Sequence, residues 1–81
     1  MESEWIDTNA QQPEDFGEYL ISFTATLGGR RTKMLIEIAE FDGFWDVYHI
    51  MQYGYRNITV HAWMPLPEPY EEVKINGKSN N

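Results

Sequence analysis

The chain has 81 residues and a formal net charge of −7, with 13 acidic side chains against 6 basic ones and no cysteine. A chain of this length forms one small domain, and it buries only about 60–65% of its unfolded surface. The acidic balance disfavours direct binding to nucleic acid, and the lack of cysteine excludes disulfides and thiolate metal sites.

The sequence predicts neither a secretion signal nor a membrane span. The residues after Met1 are acidic, whereas a signal peptide begins with a basic region. No apolar run approaches the ~20 residues that cross a bilayer. We therefore expect a cytoplasmic protein that makes no membrane contact. One domain is expected over residues 1–75, followed by a disordered polar tail over residues 76–81.

The first half of the chain predicts a short extended segment and two strands. Trp5 and Ile6 indicate that the N-terminus is tied down against the rest of the domain. Residues 19–25 alternate in the manner of a strand with one apolar face. The Gly28-Gly29 pair then allows a reversal into a second strand over residues 32–41.

This second strand has two different faces. Met34, Ile36 and Ile38 point one way in an alternating pattern. The other face carries Glu37 among apolar residues, so it is only partly apolar.

Asp42-Gly43 is a strong signal for a two-residue hairpin, and it ends the second strand. We expect a third strand over residues 44–50, which are rich in aromatic and β-branched side chains. A loop at residues 52–57 precedes a fourth strand that starts at residue 58. No long helix is predicted.

Prolines at alternate positions distinguish residues 63–70, which we name the closing segment. Proline has a fixed φ and no N–H, so this segment is extended and cannot join a central ladder. We expect it to cover the apolar face that four short strands leave open. The predicted fold is mainly β, with a small α+β fold as the alternative: an antiparallel meander of about four strands closed by an extended proline-rich C-terminal segment. The residues expected to build this structure are Trp5, Trp45, Trp63, Pro65 and Pro67.

The closing segment and several earlier strings resemble a known family. A Trp near the N-terminus and a Pro about eight residues later precede Gly-Glu-Tyr-Leu-Ile, Ile-Ala-Glu-Phe-Asp-Gly-Phe-Trp and Val-His-Ala-Trp-Met-Pro-Leu-Pro-Glu-Pro. Together these strings resemble domain-of-unknown-function family 551, which is common in phage and prophage genomes, over residues 4–70. The resemblance implies a phage or prophage context and no established activity. In that family the motif is usually His-Trp-Met-Pro-Leu-Pro, whereas here Ala62 separates His61 from Trp63. In a regular strand the extra residue turns His61 to the opposite face.

No catalytic, cofactor or metal site is predicted. His49 and His61 are the only histidines, and neither belongs to a closely spaced ligand motif. Asp46 and His49 are three positions apart, so in a strand they point to opposite faces. The sequence contains no nucleophile elbow, phosphate loop or dinucleotide motif. We therefore expect a protein that is not an enzyme and holds no cofactor.

A set of tyrosines and arginines forms the predicted binding surface. Tyr53 and Tyr55 share one loop, and tyrosines on exposed loops are favoured contacts with other proteins. Arg56 follows them directly. Arg30 and Arg31 lie at the tip of the first hairpin, as an anion contact or as one pole of a docking surface.

The predicted function is protein–protein interaction by a small acidic accessory protein of the phage or prophage type. The expected partner is a host or bacterial protein, including a defence protein inhibited through nucleic-acid mimicry in the manner of an anti-CRISPR protein. This partner class rests on the resemblance. One alternative is a small-ligand or nucleotide-binding module that uses Arg30, Arg31 and the aromatic hairpin. Another is a structural domain that self-associates as a homodimer, because an incompletely covered sheet can pair with its copy.

Overall fold

One antiparallel sheet dominates the structure, a computed structural model that describes residues 4–68. The sheet has six strands in the order β1-β6-β2-β4-β5, and β3 pairs with the end of β2. The predicted mainly β, antiparallel fold is therefore confirmed. The elements in chain order are β1 Ile6–Asp7, β2 Gly17–Leu27, β3 Arg30–Arg31, β4 Leu35–Phe41, β5 Trp45–Asp46, α1 Tyr48–Met51 and β6 Arg56–Pro65.

The long strand β2 lies at the centre of the sheet, between β4 and β6. Its alternating side chains divide the sheet into two faces. On one face Ile21, Phe23 and Ala25 are buried, and they form the core with Trp63 of β6 and Ala39 of β4. We call this the core face. The opposite side is the open face, to which Leu20, Ser22 and Thr24 belong on β2, Ile36 and Ile38 on β4, and Ala62 and Met64 on β6.

The connection from β5 to β6 covers the core face. Ile50 of α1 is buried in the core, and Val47 and Tyr55 pack against it. The expected third strand over residues 44–50 is therefore wrong beyond Asp46, because pairing with β4 ends at that residue. The Asp46 carboxylate accepts a hydrogen bond from the Tyr48 N–H at 3.2 Å, and the chain then turns through one helical turn.

That turn is α1, of four residues. Within residues 4–68 no helix is long and apolar enough to cross a membrane.

The closing segment does not take the covering role expected of it. Its first residues belong to β6, which runs to Pro65 between β1 and β2, so they lie in the plane of the sheet. Pro65 and Pro67 are exposed, and residues 69 and 70 lie outside the described residues. The cover of the core face comes instead from α1 and its flanks. Position 65 accommodates a proline because the ladder of β6 ends there.

Trp63 is the part of the closing segment that does stabilise the core. Its side chain is only 5% exposed, and its Nε1 donates a hydrogen bond to the Gln11 carbonyl at 2.9 Å. The Tyr19 ring meets it edge to face, with centroids 5.1 Å apart. Trp63 therefore joins the sheet to the N-terminal loop.

A β-bulge on β6 changes the direction of His61. Ala62 lies opposite Ser22 while Val60 lies opposite Phe23, so His61 is an extra residue in the ladder. A regular strand would place His61 on the face of Trp63. The bulge instead turns it to the open face, where its Nε2 lies 2.8 Å from the Thr24 hydroxyl. The one-residue insertion is thus absorbed locally, and the face expected for His61 from regular alternation is wrong.

Trp63→Ala should destabilise the domain by about 3–5 kcal/mol, because it removes a buried aromatic side chain and leaves a cavity in the core. Urea unfolding followed by circular dichroism measures this change. Trp63→Phe is the matched control: it keeps a ring but loses the bond to Gln11, and we expect a smaller cost of about 1–2 kcal/mol. A fully stable Trp63→Ala variant would contradict the role given to Trp63.

Trp45→Phe should behave differently from Trp63→Phe. The Trp45 ring packs on Phe41 with centroids 4.8 Å apart, but its buried Nε1 has no hydrogen-bond partner among the described residues. The substitution loses some apolar area and also removes an unsatisfied donor, which itself costs about 1–3 kcal/mol. We expect a net change within about 1 kcal/mol in the same unfolding assay. A loss of stability as large as that expected for Trp63→Ala would contradict this prediction.

Candidate functional site

The outer side of the connection over the core carries the most prominent cluster of exposed large side chains. Tyr48 is 66% exposed, Met51 40% and Tyr53 79%. They belong to α1 and to the turn that follows it. An open cleft of about 360 Å³ lies beside them, lined by Tyr48, Met51, Gln52, Gly54 and Arg56. We name these residues, together with Tyr53, the α1 surface.

Arg56 fixes the backbone beneath the α1 surface. Its Nη1 donates to the carbonyl oxygens of Met51 and Tyr55, both at 2.9 Å. These carbonyls lie at the end of α1 and after the turn, and the Met51 carbonyl also accepts a hydrogen bond from the Gly54 N–H at 2.9 Å. The arginine was predicted as a binding residue, and the structure gives its guanidinium a structural task as well.

Gly54 allows the chain to turn back from α1 to β6. Its φ is +98°, a conformation that side chains rarely adopt, and a Cβ there would meet the Leu27 side chain at 3.6 Å. The turn therefore rests on the end of β2. Arg30 lies directly opposite Leu27 in the β2–β3 pair, so it stands at the border of the α1 surface.

Tyr55 does not belong to the exposed surface. Its ring is half-buried and meets the Phe23 ring edge to face, with centroids 6.3 Å apart. The turn at Gly54 thus takes Tyr53 to solvent and Tyr55 to the core. Of the two tyrosines predicted to bind a partner, the structure exposes Tyr53 alone.

Arg31 lies on the open face, away from α1. Its guanidinium donates four hydrogen bonds, all to neutral oxygens of the sheet. The acceptors are the hydroxyls of Thr24, Thr26 and Thr59 and the carbonyl of Asn57. The predicted set is therefore divided: Tyr53 and Arg56 belong to the α1 surface, whereas the Arg31 guanidinium binds the open face. Arg30 lies opposite Leu27 at the end of β2.

The residues named for nucleotide binding are also separated. Trp45 pairs with Phe41 beside the start of β2, whereas Arg30 pairs with Leu27 at its end. With a rise of about 3.3 Å per residue, the eleven residues of β2 set these groups roughly 30 Å apart. Trp45 and the two arginines thus do not form one pocket.

The two histidines are held apart by the sheet. His49 lies at the outer edge of β4, with its Nε2 2.7 Å from the Ile38 carbonyl. His61 lies on β6, so β2 and β4 separate the two rings, at about 4.8 Å per strand. Among the described residues, no group of three or more potential ligands is arranged to hold a metal ion.

Asp46 and His49 were expected on opposite faces, and that expectation is wrong. Because α1 begins after Val47, the strand alternation stops between them. Both instead line one cleft of about 280 Å³ at the outer edge of β4. The carboxylates of Glu18, Glu37 and Glu40 line the same cleft, which makes this end of the sheet strongly acidic.

Tyr48 and Met51 were missed by the sequence reasoning. Both fall in or beside the expected third strand over residues 44–50. A usable signal was the spacing of Val47 and Ile50, which are three positions apart and share one side of a helical turn. The same turn places Tyr48 and Met51 together on its outer side.

Comparison of the chain with protein-family models, with curated proteins and with solved structures finds no match in any of the three. The resemblance to domain-of-unknown-function family 551 therefore stays a prediction. The candidate site rests on the geometry alone.

Tyr53→Ala and Tyr55→Ala should differ clearly in stability. Tyr53 is exposed, so its removal should change the free energy of unfolding by no more than about 0.5 kcal/mol. Tyr55 packs on Phe23, so its removal should cost about 2–4 kcal/mol. Thermal and urea unfolding of both variants measure the difference. Equal costs would contradict the division between surface and core.

Proposed function

We propose that this protein is a small accessory domain that acts by binding another protein through the α1 surface. The observation that carries the proposal is the exposure of Tyr48, Met51 and Tyr53 on one short connection. Tyrosine and methionine are enriched at protein interfaces, because they bury large areas and adapt to the partner.

The backbone below this surface is suited to binding. Arg56 and Gly54 fix the turn, and Ile50 anchors α1 in the core. A surface that is already ordered loses less entropy when a partner binds. The exposed rings therefore stand on a backbone that is already ordered before a partner binds.

The proposed partner is a host or bacterial protein. This partner class follows from the resemblance to a phage and prophage family, and the cytoplasm of the host cell is its proposed location. The proposed activity is binding and not catalysis.

A finer version of the proposal is inhibition of a bacterial defence protein by nucleic-acid mimicry. It is supported by the net charge of −7 and by the carboxylates around the cleft at the β4 edge. The two versions predict different surfaces. Mimicry through carboxylates weakens steeply with added salt, whereas contact through the α1 surface responds little to salt.

The test is a partner capture from bacterial lysate followed by direct titration of the captured protein. We expect Tyr48→Ala/Tyr53→Ala to weaken binding about 30-fold or more, since even one central aromatic contact contributes about 2 kcal/mol. Phe44→Ala is the matched control, because Phe44 is an 82% exposed aromatic residue outside the α1 surface. It should leave binding unchanged.

The double variant must also be shown to unfold at the wild-type midpoint. Equal binding by the wild type and the double variant would overturn the α1 surface as the site. Loss of binding in Glu18→Gln/Glu40→Gln, together with a steep salt dependence, would favour the mimicry version instead.

A further inference from the structure

Three neighbouring strands place apolar side chains side by side on the open face. Ile36 is 61% exposed and Ile38 is 43% exposed, although both lie on a strand of the sheet. Their partners on β2 are Ser22 and Leu20, and β6 continues both rows. The two rows form the apolar centre: Ile38, Leu20 and Met64 in the first, and Ile36 and Ala62 in the second. Between Ile36 and Ala62 lies Ser22, which is only 9% exposed.

One end of this apolar centre is acidic. Glu18 lies directly opposite Glu40 in the next row along β2 and β4, and Asp46 pairs with Glu40 from β5. Like charges directly opposite each other destabilise a sheet. A cation placed over this row would relieve the repulsion.

The other end of the apolar centre is basic. Arg31 lies over the threonines of β2 and β6, and its four hydrogen bonds all end on neutral oxygens. Its positive charge therefore faces no carboxylate in these contacts. His61 is part of the same row, through its contact of 2.8 Å with the Thr24 hydroxyl.

We propose that the open face binds a second copy of this chain, with the strands of the two copies running in opposite directions. A two-fold axis that crosses the strands in the plane of the interface sets the two apolar centres against each other. It also sets the acidic end of each copy over Arg31 of the other copy, so the interface contains this contact two times. The face is therefore complementary to itself, as an isologous two-fold interface requires.

The opposite orientation is unfavourable. An axis parallel to the strands would set Glu18 and Glu40 over their own copies and would leave Arg31 facing Arg31. Juxtaposed like charges cost free energy at an interface. The charge pattern thus selects one of the two ways in which these sheets can stack.

The size of the face limits the dimer to weak affinity. The strands β2, β6 and β4 have 11, 10 and 7 residues. At about 4.8 Å between strands and about 3.3 Å per residue, the face covers at most roughly 14 by 33 Å, or about 460 Å². This is little more than half of the ~800 Å² per partner of a standard interface. We therefore expect a dissociation constant on the order of micromolar.

Stacking of faces is favoured over pairing of edges. The outward edge of β4 is occupied at Ile38, whose carbonyl oxygen lies 2.7 Å from the His49 Nε2. β5 pairs with the end of the same edge at Glu40 and Phe41. A second β4 strand could therefore pair only along the remaining short stretch. The open face offers the larger continuous surface.

The experiment measures the mass of the full chain by analytical ultracentrifugation over a range of concentrations. We expect a reversible dimer whose dissociation constant rises with salt. Ile36→Glu should raise that constant about 100-fold or more, because a symmetric interface carries the substitution twice. Tyr53→Ala is the matched control on the opposite side of the molecule, and it should leave the dimer intact.

Two further variants test the orientation and the occupant. Glu40→Lys should weaken the dimer, because the new lysine would face Arg31 of the other copy, and an unchanged dimer would overturn the proposed orientation. A chain that ends at Glu68 should still dimerise. The proposal is wrong if the wild-type chain stays monomeric at a protein concentration about 100 times the expected micromolar dissociation constant. Dimerisation of only the shortened chain would also overturn it, and would show that residues 69–81 occupy the face.

The inference does not depend on binding through the α1 surface, because the α1 surface and the open face lie on opposite sides of the sheet. Failure of the dimer would leave binding through Tyr48 and Tyr53 untouched. Conversely, Ile36→Glu should bind the captured partner through the α1 surface with wild-type affinity per chain.

Discussion

The pairing of β2 on both of its edges is the constraint on which the rest of the structure depends. Its register sets Ile21 beside Glu37 of β4 and Trp63 of β6. That row decides which side of all three strands is buried. This register also fixes the face of Ile36 and Ile38, since they alternate with Glu37 along β4. The sheet therefore leaves Ile36 and Ile38 in solvent, although both are large apolar residues.

The bulge on β6 helps to give the open face one basic end and one acidic end. The extra residue in the ladder brings His61 beside Thr24. A second irregularity lies between the Thr24 and Thr26 pairs. Near it, Asn57 has a φ of +52°, and its carbonyl accepts a hydrogen bond from Arg31. Departures from regular pairing thus place the cation and the histidine at one end of the sheet, while the regular pairing of β2 with β4 places the carboxylates at the other.

Sequence patterns predict the strands of this fold where local alternation and long-range pairing agree, as at residues 19–25 and at Trp63. They fail at residues 44–50, which favour a strand locally. There, pairing with β4 lasts two residues, and Val47 and Ile50 reach the core by a helical turn instead. The helical turn forms because the core face of the sheet needs a cover, and no local sequence pattern shows this need. For the same reason Tyr48 and Met51 were not predicted as surface residues. Tyr53 and Arg56 could be predicted, because the glycine turn separates their segment from the predicted strands.

The two proposed surfaces together determine how a complex would be built. They lie on opposite sides of one sheet, so a dimer formed through the open faces carries its two α1 surfaces on the outside. These surfaces point away from each other, and one compact partner domain cannot contact both. Linked sites increase affinity only when the geometry permits simultaneous engagement. The expected complex therefore contains two partner chains for each dimer, with no gain in affinity from the pairing unless the partner is itself extended or dimeric.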